Sequence, residues 1–405
     1  KDKKHGVCEK TMPFSHKAKK FVGMSVDPIA GLCEGEYSNA GVEFPKPENQ
    51  CAGAKAVEEL DRGMAAAMQI AEEAKAERDA AQARRARHNP HPDTLTLNQA
   101  DDLTCASDEV VIDVAYAGIN RADVLQRMGF YPPPEDASPV MGLEVSGTVR
   151  TAGASSGFSP GERVCALVHG GGYATQARAK AACTLRVPQT IDMKVAACLP
   201  EAFLTVWYNV VVRAGLKDGE TLLVHGGTSG IGNVAVQLGK AMNCRVIATA
   251  GSSDKCQLLS DIGTDITLNY NEAPLTEQCA QHDVLGHVDV VLDMVGGDFE
   301  QFNLECLAVD GRIACIGLMR GGQATIDLTQ LLMKRATLTG STLRRLTHEE
   351  KARCFREVDE QLMPLVENGH MRPLMDKIFD LKDALAAQTY MSSGAHAGKL
   401  LLSCA

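Results

Sequence analysis

The segment Leu222-Leu-Val-His-Gly-Gly-Thr-Ser-Gly-Ile-Gly232 narrows the choice of fold more than any other stretch of this chain. A run without polar alternation, 221–225, enters it, and an amphipathic stretch, 231–242, leaves it. Such a run is a strand buried on both faces, which a parallel sheet covered by helices provides. Glycines let the backbone approach a diphosphate, whose charge then meets the N-terminus of the departing helix. The spacing is not G-x-G-x-x-G. Gly226, Ser229 and Gly232 stand three apart, with Gly227, Gly230 and Ile231 among them. Alone, the loop is also compatible with a purely structural β–α turn. Further strand-like runs at 245–250, 266–269, 288–293 and 312–317, separated by helical segments, predict a doubly wound Rossmann sheet.

The second of these strands bears on the ligand. Sites for NAD carry an Asp or Glu about 20 residues beyond the glycines, on the ribose hydroxyl. Here the strand ends Ala250-Gly251-Ser252-Ser253-Asp254-Lys255, with no carboxylate at its tip. Two hydroxyls and an ammonium suit a 2′-phosphate, so NADPH is expected over NADH. Asp254 reads as a helix-start residue.

Upstream, 109–114, 145–149 and 163–168 read as short strands separated by Gly and Pro. After residue 344 the pattern gives helices at 349–368 and 381–391 and a last strand at 399–402. Residues 1–92 differ. Seven Lys fall in the first twenty positions, followed by a Gly/Pro/Glu-rich stretch without a period. Then Val57, Leu60, Met64, Ala67, Ala71 and Ala74 form a narrow helical stripe within about 54–87, ended by Pro90 and Pro92. This extension is read as an extended arm plus a helix that orders against a protein partner.

Of the net charge of −10, the body beyond residue 90 holds all the excess, which argues against nucleic-acid binding. No apolar run is long enough to span a membrane. The 14 cysteines are scattered singly and read as reduced, buried small hydrophobes.

Several ordered motifs then carry a resemblance. Gly118-Ile-Asn-Arg-Ala-Asp-Val-Leu-Gln-Arg-Met-Gly-Phe-Tyr-Pro-Pro-Pro134, Gly142-Leu-Glu-Val-Ser-Gly147, Pro200-Glu-Ala-Phe-Leu-Thr-Val-Trp207, the glycine loop, Gly317-Leu-Met-Arg-Gly-Gly322 and Ala397-Gly-Lys-Leu400 resemble the quinone oxidoreductases related to zeta-crystallin. These form a zinc-free branch of the medium-chain dehydrogenase/reductase superfamily. The resemblance covers about 93–405. It implies an α/β architecture: a β-rich GroES-like catalytic domain, 93–202 and 345–405, around an inserted Rossmann domain, 203–344. It implies Asn120 and Tyr131 as the polar pair of the quinone pocket and Thr205, Gly317 and Leu318 along the nicotinamide. It also implies Lys255 and Tyr270 around the adenosine phosphate, and Lys399 near the cofactor. Each has a plainer alternative: Tyr131 as a packed turn aromatic, Asn120 as a turn cap, Tyr270 as sheet surface.

Zinc alcohol dehydrogenases share this scaffold. Where they place a Cys, this chain has Ala117-Gly-Ile-Asn-Arg; where they have Gly-His-Glu, it has Gly142-Leu-Glu144. No metal is expected. The expected activity is NADPH-dependent reduction of a quinone or enone. The alternative is an accessory subunit of a large organellar complex that retains NADPH, held through residues 1–92. The resemblance also implies a homodimer, paired near 336–342. A Lys-rich opening without Met leads to the expectation of a mitochondrial or other organelle matrix, otherwise the cytoplasm.

Overall fold

A computed structural model describes residues 95–404. The arm, the helix at 54–87 and the partner contacts expected of residues 1–92 fall outside the described residues.

The first sheet grows around β1 (Glu109–Ile119), eleven residues long and buried at most positions. β2 (Glu144–Ala152) pairs antiparallel with one edge of β1, and β3 (Arg163–Leu167) and β5 (Thr184–Arg186) continue outward from β2. β4 (Gln176–Lys180) pairs with the start of β1. Alternate residues of these strands, among them Val110, Ile112, Val145, Val164 and Ala177, meet in one apolar core.

The chain then builds a second sheet: β6 (Thr221–Val224), β7 (Arg245–Ala250), β8 (Ile266–Asn269), β9 (Val288–Asp293), β10 (Leu307–Cys315) and β11 (Thr337–Gly340). All pairings are parallel, in the order β11-β10-β9-β6-β7-β8. That is the doubly wound Rossmann order, with its reversal between β6 and β9. The last strands, β12 (Met375–Asp380) and β13 (Lys399–Ser403), return to the first sheet, where β13 pairs with the end of β1. The GroES-like sheet is thus closed by the C-terminal segment.

The helix Pro200–Val206 joins the sheets. Phe203 and Leu204 are fully buried in a core that reaches from Cys165 and Leu185 to Leu222 and Val234. Each such side chain contributes about 1.5–3 kcal/mol. Directly after it, Trp207–Arg213 forms π-helical turns, a form frequent at functional sites.

Three sequence readings need correction. The strand expected at 312–317 begins at Leu307 and ends at Cys315, because Asp310 takes φ 64° and shifts the register. The helix expected at 349–368 breaks into His348–Gln361 and Met363–Glu367, where Pro364 cannot donate. The helix expected at 381–391 is a 3₁₀ turn, Leu381–Asp383, followed by Ala384–Ser392. A helix, Arg121–Arg127, also rises within the Gly118–Pro134 motif.

Candidate active site

The reversal between β6 and β9 leaves a crevice at the carboxyl ends of these strands. Into it runs the glycine loop. Gly226 takes φ 60°, a left-handed conformation that favours glycine. A methyl group at Gly232 would overlap the Gly226 carbonyl, and one at Gly230 would overlap the side-chain methylenes of Lys399. Ser229 Oγ accepts the Gly232 amide at 2.9 Å, and Asn233 Nδ2 donates to the Ser229 carbonyl at 2.6 Å. A parallel bridge between Ser229 and Gly398 engages the Gly230 amide, while that of Ile231 has no partner among the described residues. The Ile231 amide opens onto the N-terminus of the helix Gly232–Ala241, where the helix dipole favours an anion. Gly227 is held by the Thr249 carbonyl at 3.0 Å. The donor set and the shape of this loop fit a dinucleotide diphosphate.

At the tip of β7, Ser252 caps the next helix by accepting the Lys255 amide at 3.3 Å. Ser253 is exposed. Lys255 Nζ donates to the carbonyls of Gly394 and His396, at 2.7 and 2.9 Å. Carbonyls satisfy its hydrogens without neutralising its charge; burial lowers its pKa from the ordinary Lys value. The Tyr270 ring, half-exposed, covers Gly251, and its hydroxyl occupies the space that a side chain at 251 would need. Ser252, Lys255 and Tyr270 therefore share one end of the crevice. At the other end, Gly317 passes so close to the Met294 carbonyl that a methyl group there would sit 2.8 Å from it. Ser229 Oγ reaches Met294 Sδ at 3.5 Å, and Leu318 stands exposed beside them. Thr205 is buried, and its carbonyl accepts Asn209 Nδ2 at 2.8 Å.

A second group of residues forms a buried polar cluster beside this crevice. Asn120 is 7% exposed. Its Nδ2 donates to Glu144 Oε1 at 2.9 Å, and its Oδ1 accepts Lys399 Nζ at 2.7 Å. Lys399 Nζ also pairs with Glu144, so its ammonium is turned into this cluster while its methylenes cover Gly230. An ammonium only donates, so the amide orientation of Asn120 is fixed by its partners. Glu144, fully buried, uses its other oxygen to accept the Glu201 amide at 2.9 Å. It fits only because Gly118, its register partner on β1, has no side chain. Burial disfavours the Lys399 charge, but the charge and hydrogen bond of Glu144 outweigh it and raise the pKa.

Two further acids flank the pair. Asp123 Oδ2 accepts the Asn120 amide at 2.8 Å and the Tyr173 hydroxyl at 2.9 Å, while Oδ1 has no partner among the described residues. Burial pushes Asp123 up to about 6. Glu201, half-buried, is pushed up to about 8 by burial and then by the Glu144 charge. Tyr131 stacks under Arg344, whose guanidinium lies 4.1 Å from the ring centre and donates to the Tyr131 carbonyl at 2.6 Å. Burial raises the Tyr131 pKa. Tyr131, Glu201, Arg344, Leu143 and Lys351 line a small cavity of about 50 Å³. A larger one, about 1040 Å³, lies along 95–103 and shares His169 and Lys351 with it.

The structure thus brings the glycine loop, Lys255 and Tyr270 to one crevice, and Asn120 and Lys399 into direct contact with each other. Glu144 and Glu201 entered the sequence reading only as letters of motifs, and Asp123, Tyr173, Met294 and Arg344 gave no separate signal. Among the described residues, Asp293, Glu300 and Cys315 have the spacing of metal ligands. Both Asp293 oxygens, however, accept backbone amides, from Val295 at 2.7 Å and Gly296 at 3.0 Å. Eight of the eleven described cysteines are buried and all are free.

Residues 106–194 match the family profile for the alcohol dehydrogenase GroES-like domain, and residues 230–360 that for zinc-binding dehydrogenase. The chain is 30% identical over 311 residues to quinone oxidoreductase-like protein 2 of Bos taurus, spanning 76% of this chain and 89% of that protein. Its fold is similar to that of Escherichia coli quinone oxidoreductase complexed with NADPH, with TM-score 0.69 and 27% identity over 77% of this chain and 96% of the other. It is also similar to the CurK enoyl reductase, with TM-score 0.68 and 26% identity over 77% and 96% of the two chains.

Proposed function

We propose that this chain, which belongs to the quinone oxidoreductase branch of the medium-chain dehydrogenase/reductase superfamily, is an NADPH-dependent reductase of quinones or related conjugated carbonyls. The reading is supported by one observation above all: a glycine loop ending in the unpartnered Ile231 amide sits at a helix N-terminus on the sheet's point of reversal. The NADPH held by the Escherichia coli relative supports the same cofactor here.

The loop 226–232 would hold the diphosphate. Ser252, Ser253 and Lys255 would hold the adenosine phosphate, with Tyr270 over the adenosine side. Thr205, Gly317 and Leu318 would flank the nicotinamide. When bound, NADPH supplies a hydride, and the protein contributes position and electrostatics. Asn120 Nδ2 keeps one hydrogen beyond its bond to Glu144, and Tyr131 lines the same cavity as Glu201. Either donor can polarise a carbonyl oxygen as charge develops on it. A quinone is an intrinsically good acceptor, so donors of this kind suffice where zinc enzymes use a Lewis acid. The residues at the positions of zinc ligands, Asn120 and Leu143, cannot supply one.

Calorimetric titration with NADPH and NADH, followed by a panel of ortho-quinones, para-quinones and enones, tests this reading. NADPH binding with saturable turnover of one acceptor class is expected. Absence of heat with NADPH, or binding without oxidation across the panel, refutes it.

A further inference from the structure

We infer that the Glu201 carboxyl is the proton donor of the cleft, delivering to the oxygen of a conjugated ketone or quinone as that group is reduced; the inference rests on the reductase reading. Glu201 and Thr205 lie four residues apart on the helix Pro200–Val206, hence one turn apart on one face. Thr205 is the residue that would meet the nicotinamide, so Glu201 stands at the acceptor's side of the same wall. Its amide and the Asn120 side chain are both held by Glu144, which fixes the donor relative to the polar pair. Its side chain faces the small cavity with Tyr131 and Arg344, a volume sufficient for one or two waters or the edge of a ligand.

The other acids of the cluster cannot take this role. Glu144 accepts from Asn120, Lys399 and the Glu201 amide, and Asp123 accepts from Asn120 and Tyr173. The Glu201 carboxyl bonds to no described residue and is half-buried rather than sealed. The charged groups facing it are Glu144, Asp123, Lys399 and Lys351; Tyr131 and Arg344 feel it from across the cavity. With its pKa at about 8, the group holds its proton at neutral pH.

The step balances as follows. A conjugated carbonyl takes up a hydride, two electrons with one hydrogen, from the reduced dinucleotide, and a bond from carbon or oxygen to hydrogen forms. The charge left on the acceptor oxygen is quenched as the Glu201 Oε–H bond breaks and an O–H bond forms. Glu201 is left as carboxylate and recovers its proton from water.

Three measurements test this. In infrared difference spectra of the cofactor-free protein, the wild type shows a carboxylic-acid band that disappears with a midpoint near pH 8, and Glu201→Gln lacks it. Glu201→Gln binds NADPH as the wild type does. With an enone acceptor its kcat falls about 100-fold and loses the alkaline limb of the pH profile, while Glu201→Asp recovers part of both. A Gln variant that turns over at the wild-type rate, or that keeps the alkaline limb, overturns the assignment and leaves the reductase reading standing. A wild type that binds NADPH and reduces no acceptor overturns both.

Discussion

Replacing Lys399 by Met tests the buried cluster directly. Lys399 is 3% exposed and Glu144 fully buried, and they meet between the last strand and the first sheet. Met keeps a chain of similar shape over Gly230, with Sδ in place of Cδ, and removes the charge together with the donor to Asn120 Oδ1. Glu144 then retains two donors, Asn120 Nδ2 and the Glu201 amide, but no cation. Removing one partner of a buried ion pair costs about 3–5 kcal/mol, and the remaining donors place this case at the lower end. For a body of this size that corresponds to a fall in Tm on the order of 5 °C. The sign with pH follows from the raised Lys399 pKa. Its contribution is complete below the ordinary Lys value of 10.5 and is lost only as pH rises through the higher folded value. Between pH 7 and 9 the Lys399 charge itself adds no slope to the gap between wild type and Lys399→Met in urea unfolding; the gap should widen only above about pH 8, where Glu201, which Lys399 also faces, titrates. A variant within about 1 kcal/mol of the wild type would show that the pair is not a buried, uncompensated charge problem at all.

Three further outcomes are expected. Gly232→Ala forces a methyl group into the Gly226 carbonyl and should abolish NADPH binding in a calorimetric titration, whereas Gly251→Ala, which displaces only the mobile end of Tyr270, should weaken it mildly. Lys255→Ala removes one charged contact, about 1.5–3 kcal/mol, and should weaken NADPH by roughly 10–100-fold with NADH unchanged, read as a ratio of Kd values. Leu328, Leu332, Met333 and Leu338 are exposed beside the edge strand β11; if two copies pair there, Leu332→Glu with Leu338→Glu yields a monomer in sedimentation.

What could be read from the sequence was what is contiguous in it. The glycine loop, the carboxylate-free tip at Ser252 and the parallel strands each announce themselves within a few residues, and the structure places them in one crevice. The buried cluster does not. Asn120 and Lys399 are 279 residues apart, and Glu201 lies 57 from Glu144, so no window contains the arrangement. The resemblance named Asn120 and Lys399 separately, as a pocket residue and a cofactor residue; that each completes the other's hydrogen bonds follows only from β13 pairing beside β1. Pro364 was a legible break within 349–368, because it lacks the amide a helix needs. The early start of β10 was not, since the positive φ of Asp310 has only a weak signature in sequence.

The cost of the Glu144–Lys399 pair also bears on why it is there. Two charges withdrawn from water regain little over apolar side chains of the same volume, so stability alone does not account for the cluster. Position does. With Lys399 donating to Asn120 Oδ1, the amide cannot flip, and its Nδ2 and the Glu201 amide converge on the two oxygens of one carboxylate. Glu144→Gln combined with Lys399→Met removes both charges at once. It should recover most of the stability lost by Lys399→Met alone, because no ion is left unpaired. It should not recover turnover, since an amide at 144 no longer dictates which way Asn120 points, while NADPH binding at the glycine loop persists. Unfolding in urea, kcat with a quinone and NADPH calorimetry on the single and double variants separate these effects. A double variant restored in both stability and kcat would mean that the cluster only props the last strand against the first sheet, and that Asn120 finds its orientation without it.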